Sequence, residues 1–410
     1  MMRHLLLAGL GLAATLPLHA AGPLTRTPWG EPLWPATTAD AGRGGTGLAL
    51  LDSTRLGVVN PAAQHAGRLT RFQMDFSAAR SHVSEDGLGQ DFSSGSFDSW
   101  ALAFPLGWKD MHAGLSLLSL SQADYLVTRS GVDSQARSYL ESLRGKGGLS
   151  RAALTLSATS PMPSLRVGVE AGLVFGSLLE EWKLFYPASA PPYDSWVDTR
   201  HSLLGLQPRL GLQWQANPAL SAGLVWAPST AADLTVDREN RGNDQDQESA
   251  IRSAHLPGDL ALGLAWRKGT ATWLLDARVQ DWSRVPMGST VLEEDGRVDH
   301  PKGVALGVDL PASRDFNASW YRRTTWRAGL RWQEWYARRL TLRPDNSAQW
   351  NTVESLSLSL GAGIPLKAFG SWLDVAVEGG RSGDGSLDDQ FVKLRMGLGA
   401  RDLWFVRPRY

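Results

Sequence analysis

Strict alternation of apolar and polar residues over long stretches is the feature that most narrows the fold of this chain. Across 259–267 the even positions are Leu260, Leu262, Leu264 and Trp266, set against Asp259, Ala261, Gly263, Ala265 and Arg267. Across 271–282, Ala271, Trp273, Leu275, Ala277 and Val279 oppose Thr272, Asp276, Arg278 and Gln280. Residues 325–332 and 355–364 repeat the pattern, with Trp326, Leu330 and Trp332 on one face and Arg327, Gly329 and Arg331 on the other. Period-two alternation belongs to strands with one greasy and one polar face. A soluble sandwich alternates too, but here the polar face carries Arg, Asp, Glu, Gln, Ser and Gly, and aromatic residues stand at the strand ends. Lipid outside and a polar lumen inside fit this better.

The connections point the same way. Strands at about 68–81, 97–105, 111–125, 149–159, 165–179, 201–215, 219–227, 258–267, 271–282 and 324–335 are joined by links that alternate in length. Links at 105–110, 160–164, 216–218 and 268–270 are tight; those at 82–96, 126–148, 180–200, 228–257 and 283–323 are long. Short turns at one end and long loops at the other are the build of outer-membrane barrels. A weak strand near 339–343 and three more at 353–364, 371–380 and 391–400 bring the expected count to 14. Val304 to Leu310 also alternates, but an odd count would put the termini on opposite sides, so it is assigned to a loop. The fold class read from sequence is all-β, a transmembrane antiparallel barrel.

Composition excludes several functions. The 41 basic residues match the 41 acidic ones, so no global field favours nucleic acid. There is no cysteine for a disulfide or a thiolate metal site. Tryptophan is plentiful, 18 against 7 tyrosines, and indole prefers membrane–water boundaries. Residues 1–20 read as a signal peptide, with Arg3 and His4 before an apolar run from Leu5 to Leu18 and Ala20 at the cut.

Between the proline-rich lead-in and the first strand lies residues 41–63, AGRGGTGLALLDSTRLGVVNPAA. Gly42, Gly44, Gly45 and Gly47 permit tight turns and close backbone packing, and the stretch closes on Asn60, Pro61 and Ala62. It is read as a hatch inside the barrel, with lead-in and hatch over 21–67 and the barrel over 68–410. The glycine run lacks the Gly-Lys-Ser/Thr ending of a phosphate loop and follows no strand. Residues 243–248 space oxygen ligands but lack the central glycine of a calcium loop. The eight histidines show no ligand spacing, and His201 and His255 read as loop residues. No catalytic residue, metal or cofactor is expected.

Two loops stand out. In 126–148, Ala136, Tyr139, Leu140 and Leu143 fall at helical spacing, predicting a short amphipathic helix over the mouth. The 180–200 link gathers Trp182, Phe185, Tyr186, Tyr193 and Trp196, a site for capturing an apolar ligand or an upper aromatic belt. Alternation also aims Asp276, Arg278, Arg327, Arg331, Asp374, Glu378, Lys393 and Arg395 into the lumen. There they pair and hold the hatch, or Arg327 and Arg331 receive a carboxylate.

The segment from Gly42 to Gly47 with Asn60-Pro61-Ala62 resembles the FadL-type outer-membrane transport family, whose members begin with such a hatch. The resemblance recurs at Leu256-Pro257-Gly258, at Asp281-Trp282-Ser283, and at Phe316-Asn317-Ala318-Ser319-Trp320. The closing residues 402–410 look like the ends of FadL-like proteins that include PorV. Asp52 followed by Ser53 departs from the acidic pair usual before the hatch's end, and a basic tail follows the last aromatic. The resemblance implies a monomeric barrel in outer-membrane lipid that passes small hydrophobic compounds such as long-chain fatty acids. The alternative is a PorV-like scaffold with a protein partner, tied to secretion.

Overall fold

A computed structural model describes residues 29–402 apart from 53, 65–68, 86, 107–109, 134–135, 187–194, 242–244, 286–295, 314, 316, 343–347 and 367–369. The expected signal peptide and the tail 403–410 lie outside the described residues.

The wall starts with β1 (Thr70–Glu85), β2 (Leu88–Pro105) and β3, which runs as Met111–Ser119 and Ser121–Val132. Next come β4 (Ser138–Thr159), β5 (Leu165–Phe185), β6 (Ser195–Asn217) and β7, split into Leu220–Ala227 and Thr230–Arg241. β8 is split into Gln245–Leu256 and Gly258–Lys268, and β9 (Ala271–Asp281) and β10 (Lys302–Leu310) follow. β11 (Thr325–Leu342), β12 (Ala348–Pro365), β13 (Ser371–Gly383) and β14 (Leu387–Asp402) complete it. The sheet's 18 segments thus form 14 wall strands, because three strands are interrupted once and the two-residue strand Glu31–Pro32 lies inside. β14 pairs with β1 from Asp402↔Thr70 to Leu387↔Glu85. The barrel therefore closes, and no backbone edge faces lipid.

The faces separate as alternation requires. Ser357 and Ser359 are 4% and 5% exposed, while Leu358 and Leu360 between and beyond them are 66% and 68% exposed. A wall that hides serine and presents leucine is turned toward lipid. Trp214, Trp266, Trp273 and Trp326 stand exposed near the end that carries Thr70 and Asp402, with Trp266 directly opposite Trp273. They form an aromatic girdle at that boundary.

Several expectations are corrected. Lys302–Leu310 is a wall strand. Of the weak strand expected near 339–343, residues 339–342 belong to β11, the same strand as 325–335. The count is right while the assignment is not. A bulge between Glu334 and Arg338 shifts the register, so Trp335, Tyr336 and Ala337 are all buried in succession. That break in alternation makes one strand look like two. With Lys302–Leu310 in the wall, β11 starts from the end that carries the wall's termini, where Leu310 and Thr325 lie. The expected helix over 126–148 is instead the hairpin of β3 and β4, paired from Val132↔Ser138 inward. The long links at 82–96, 180–200 and 228–257 are likewise largely strand, as β1–β2, β5–β6 and β7–β8 extend beyond the apolar band. His201 and His255 lie in β6 and β8, not in loops.

Candidate functional site

Residues 29–64 run inside the barrel. Thr37 caps the short helix Thr38–Ala41 through reciprocal bonds with Asp40 (Asp40 N to Thr37 Oγ1, 3.2 Å; Thr37 N to Asp40 Oδ2, 3.1 Å). Gly44 and Gly45 follow with φ of +75° and +87°, angles that a side chain resists. The segment ends in the 3₁₀ turn Pro61–Gln64, opened by Asn60, whose Oδ1 accepts from Ala62 N at 3.0 Å. Gly42, Pro61 and Ala62 are buried with it, and Gly47 N donates to Asp276.

The wall holds this segment mainly through its backbone, whose polar groups must be satisfied. Asp276 Oδ2 accepts from Gly47 N and Leu48 N at 2.8 and 3.1 Å. Ser359 Oγ accepts from Gly44 N at 2.9 Å, and Asp75 Oδ1 from Thr38 N at 2.8 Å. Arg209 donates to Val59 O (2.7 Å), Gln213 to Leu48 O (3.0 Å), and Arg71 to the carbonyls of Arg55 (2.9 Å) and Gln64. Side chains join it too: Arg43 bridges Asp40 (2.5 Å) and Asp309 (3.1 Å), and Arg55 reaches Asp374 at 3.0 Å.

All eight sequence-predicted charges lie on the inner face. Arg278 forks onto Asp259 at 2.5 and 2.9 Å. Arg327 binds Asp374 at 2.9 Å, Arg331 binds Glu378, and Arg395 stands between Asp98 and Glu378 at 3.5 and 3.8 Å. Lys393 is buried near Glu31, Asp98 and Glu378. Arg327 and Arg331 are thus engaged by wall carboxylates.

The wall also offers the hatch a trough of glycines, which sequence reasoning missed. A Cβ on Gly168 would meet Pro61 C at 2.3 Å, on Gly211 Asn60 Oδ1 at 2.2 Å, on Gly223 Leu48 O at 2.3 Å, and on Gly329 Gly44 N at 2.0 Å. The available signal was glycine on the polar face of β5, β6, β7 and β11, facing inward. Gly329→Val should therefore push the hatch off β11, at a cost of about 1–3 kcal/mol. Trypsin in mild detergent should cut at Arg43 and Arg55 at least several-fold faster, while heat-modifiable gel mobility reports an intact barrel. Leu330→Val, on the outer face, should leave that rate unchanged.

Above the hatch lies a cavity of about 110 Å³. Trp29, Leu33, Trp34, Leu256, Trp282 and Tyr336 wall it, with Arg151, Asp259 and Arg278 among the polar lining. Trp282 stacks on Tyr336 with ring centroids 4.0 Å apart, and Trp29 meets Trp282 edge-on at 5.8 Å. Tyr336 Oη donates to Gly30 O, tying this lid to the lead-in. Leu33 N donates to Leu120 O at 2.9 Å, where β3 is interrupted.

A family model described as BamG matches residues 30–410, the hatch and the wall together. The chain belongs to the BamG family. No curated protein matches it. Solved structures similar to this BamG-family barrel include a Pseudomonas aeruginosa FadL homologue, 13% identical at a TM-score of 0.63, over 89% of this chain and 98% of that one. The Ralstonia pickettii toluene transporter TbuX is 16% identical at 0.59, with 89% and 98% covered. The monoaromatic hydrocarbon channel CymD is 14% identical at 0.58, with 90% and 97% covered. The fold is that of the FadL-type channels.

In this BamG-family barrel the rim aromatics are dispersed along β5 and β6. Trp182 Nε1 donates to Glu141 at 2.8 Å, and Trp196 Nε1 to Asp198 at 2.5 Å. Tyr186 packs near Tyr139 with Arg137 over its ring, and Phe185 is exposed. Tyr193 lies outside the described residues.

Proposed function

We propose that the chain is a passive outer-membrane channel for small hydrophobic compounds, held closed by its hatch and its aromatic lid. The observation that carries this reading is the aromatic-walled cavity of about 110 Å³ directly above the hatch. Its likeness in fold to a toluene transporter and a monoaromatic hydrocarbon channel supports it. The export signal expected over 1–20 and the lipid-facing wall support the location, with the wall's termini on the periplasmic side. The barrel acts as a monomer in lipid. Ligand is captured at the rim near Trp182, Phe185, Tyr186 and Trp196, passes the lid, occupies the cavity, and leaves when the hatch shifts. No residue is assigned a bond-making step.

Size narrows the ligand. An apolar cavity of roughly 150 Å³ accepts benzene, so a one-ring compound requires only a modest lid movement here. A long-chain fatty acid requires the hatch to leave. Trp282→Ala removes the stacked lid and should raise radiolabelled toluene uptake several-fold in cells expressing the variant. Uptake equal to that of empty-vector cells, for wild type and variant alike, would sink the channel reading.

A specific observation favours a second reading, a PorV-like scaffold with a protein partner. Val83, Phe92, Tyr125, Leu203, Leu234, Trp335 and Val353 belong to one buried cluster that occupies the lumen above the hatch. A stoichiometric protein partner retained on purification, together with absent uptake, would favour it.

A further inference from the structure

Within the cavity above the hatch, one cation is left without a full set of partners. Arg151, on β4, is 4% exposed, and its stem crosses Gly172, where a Cβ would meet Arg151 Cδ at 2.9 Å. Its Nε stands 3.2 Å from Glu170 Oε1. That same oxygen faces Arg209 Nη1 at 3.3 Å, so one carboxylate serves two guanidiniums. Among the described residues the terminal nitrogens of Arg151 have no hydrogen-bond partner. Arg278, the other guanidinium in the cavity, has a carboxylate of its own in the fork onto Asp259.

The local charge does not balance. The groups acting on Arg151 are Arg209, Glu170, Arg278 and Asp259, which makes three arginines against two carboxylates. Lys302 and Glu334, on the far side of the same cavity, offset one another. A buried guanidinium with free terminal N–H groups demands an acceptor, and an anionic one is favoured most strongly. The rest of the lining is aromatic: Trp29, Trp34, Trp282 and Tyr336.

We infer that the cavity takes a small aromatic carboxylate, its ring among the indoles and its carboxylate on the terminal nitrogens of Arg151. This rests on the channel reading and names its substrate class. The acid group supplies the missing negative charge, and the ring supplies the apolar and edge-to-face contacts of the walls. A neutral hydrocarbon fills the same space but leaves Arg151 unpaired.

The test uses purified barrel in mild detergent with three probes: benzoate, its methyl ester and toluene, followed by calorimetry and tryptophan quenching. Wild type should bind benzoate roughly tenfold or more tighter than the ester. Arg151→Gln, which leaves Arg209 on Glu170, should abolish that preference and leave toluene binding within about twofold. Arg166→Gln, away from the cavity, should retain it. Toluene binding with no preference for benzoate over its ester overturns the inference and leaves the channel reading standing. No binding of any probe overturns both. Because the benzoate–ester comparison is made on wild type, the inference stays testable if the variant does not fold.

Discussion

Replacing Asp374 by alanine should release the hatch from one side of the barrel. The carboxylate is fully buried and takes Arg55 Nε of the hatch at 3.0 Å and Arg327 Nη1 of the wall at 2.9 Å. Removing it leaves two buried guanidiniums whose remaining carboxylates stand farther off, Asp52 at 3.9 Å from Arg55 and Asp309 at 3.8 Å from Arg327. Breaking a buried pair by deleting one partner costs about 3–5 kcal/mol, and the residual partners place this case near about 3. The cost falls on the hatch, because the wall around Asp374 is held by continuous ladders to β12 and β14. Amide hydrogen exchange over 41–63 should speed up by about two orders of magnitude, while exchange in β12–β14 stays slow. Planar-bilayer recordings should show openings that wild type lacks. Glu354→Ala, at an exposed residue that accepts from Trp332 Nε1, serves as the control. Hatch exchange as slow as in wild type would mean that Asp374 does not anchor it.

Much of this architecture can be read in the chain because lipid imposes a simple rule on every wall residue. Leu356, Leu358 and Leu360 must face out, so Ser355, Ser357 and Ser359 must face in. Parity then bounds the strand number. What escapes is whatever breaks period two. The bulge at Glu334 to Arg338 buries Trp335, Tyr336 and Ala337 in a row, disguising one strand as two and costing Lys302–Leu310 its place in the wall. Beyond the apolar band the outer face turns polar, as at Asp233, Thr235, Asp237 and Glu239, while Ala232, Leu234 and Val236 face the lumen, so strands there read as loops although the ladder continues. Tyr139 and Leu143 carry helical spacing by coincidence, since a strand also brings every fourth residue to one side.

The site was legible in part. The hatch announces itself through glycine and Asn-Pro-Ala, and alternation marks which charges face inward. Their partners are not legible, because Arg43 meets Asp309 and Asn60 meets Leu212 across more than 150 residues of chain. Arg71, Arg209 and Gln213 were passed over for the same reason. Each sits on an inward position, but only the closed barrel shows that a hatch carbonyl lies opposite. The cavity depends on the lead-in passing over β3 at Leu120, which no local pattern encodes.

Asn60 concentrates the hatch's remaining dependence on one side chain. Its Nδ2 donates to Leu48 O at 2.9 Å within the hatch and to Leu212 O at 3.0 Å on β6, while Oδ1 accepts from Ala62 N. The residue is 1% exposed, so no solvent replaces these bonds. Gln213 still reaches Leu48 O at 3.0 Å, which leaves Leu212 O and Ala62 N as the groups stranded by Asn60→Ala. Each stranded buried group costs about 1–3 kcal/mol, so the loss is about 2–6 kcal/mol. Asn60→Asp keeps the acceptor for Ala62 N but brings a second oxygen against two carbonyls, and it should be at least as damaging. Both variants should unlock the 3₁₀ turn Pro61–Gln64 and expose Arg55 to trypsin, with barrel mobility on gels unchanged. Combining Asn60→Ala with Asp374→Ala tests whether the two anchors act separately. They hold opposite sides of the hatch and share no partner, so their effects on hatch exchange should add. A double variant no worse than either single one would mean that the hatch leaves as one rigid unit once any anchor fails.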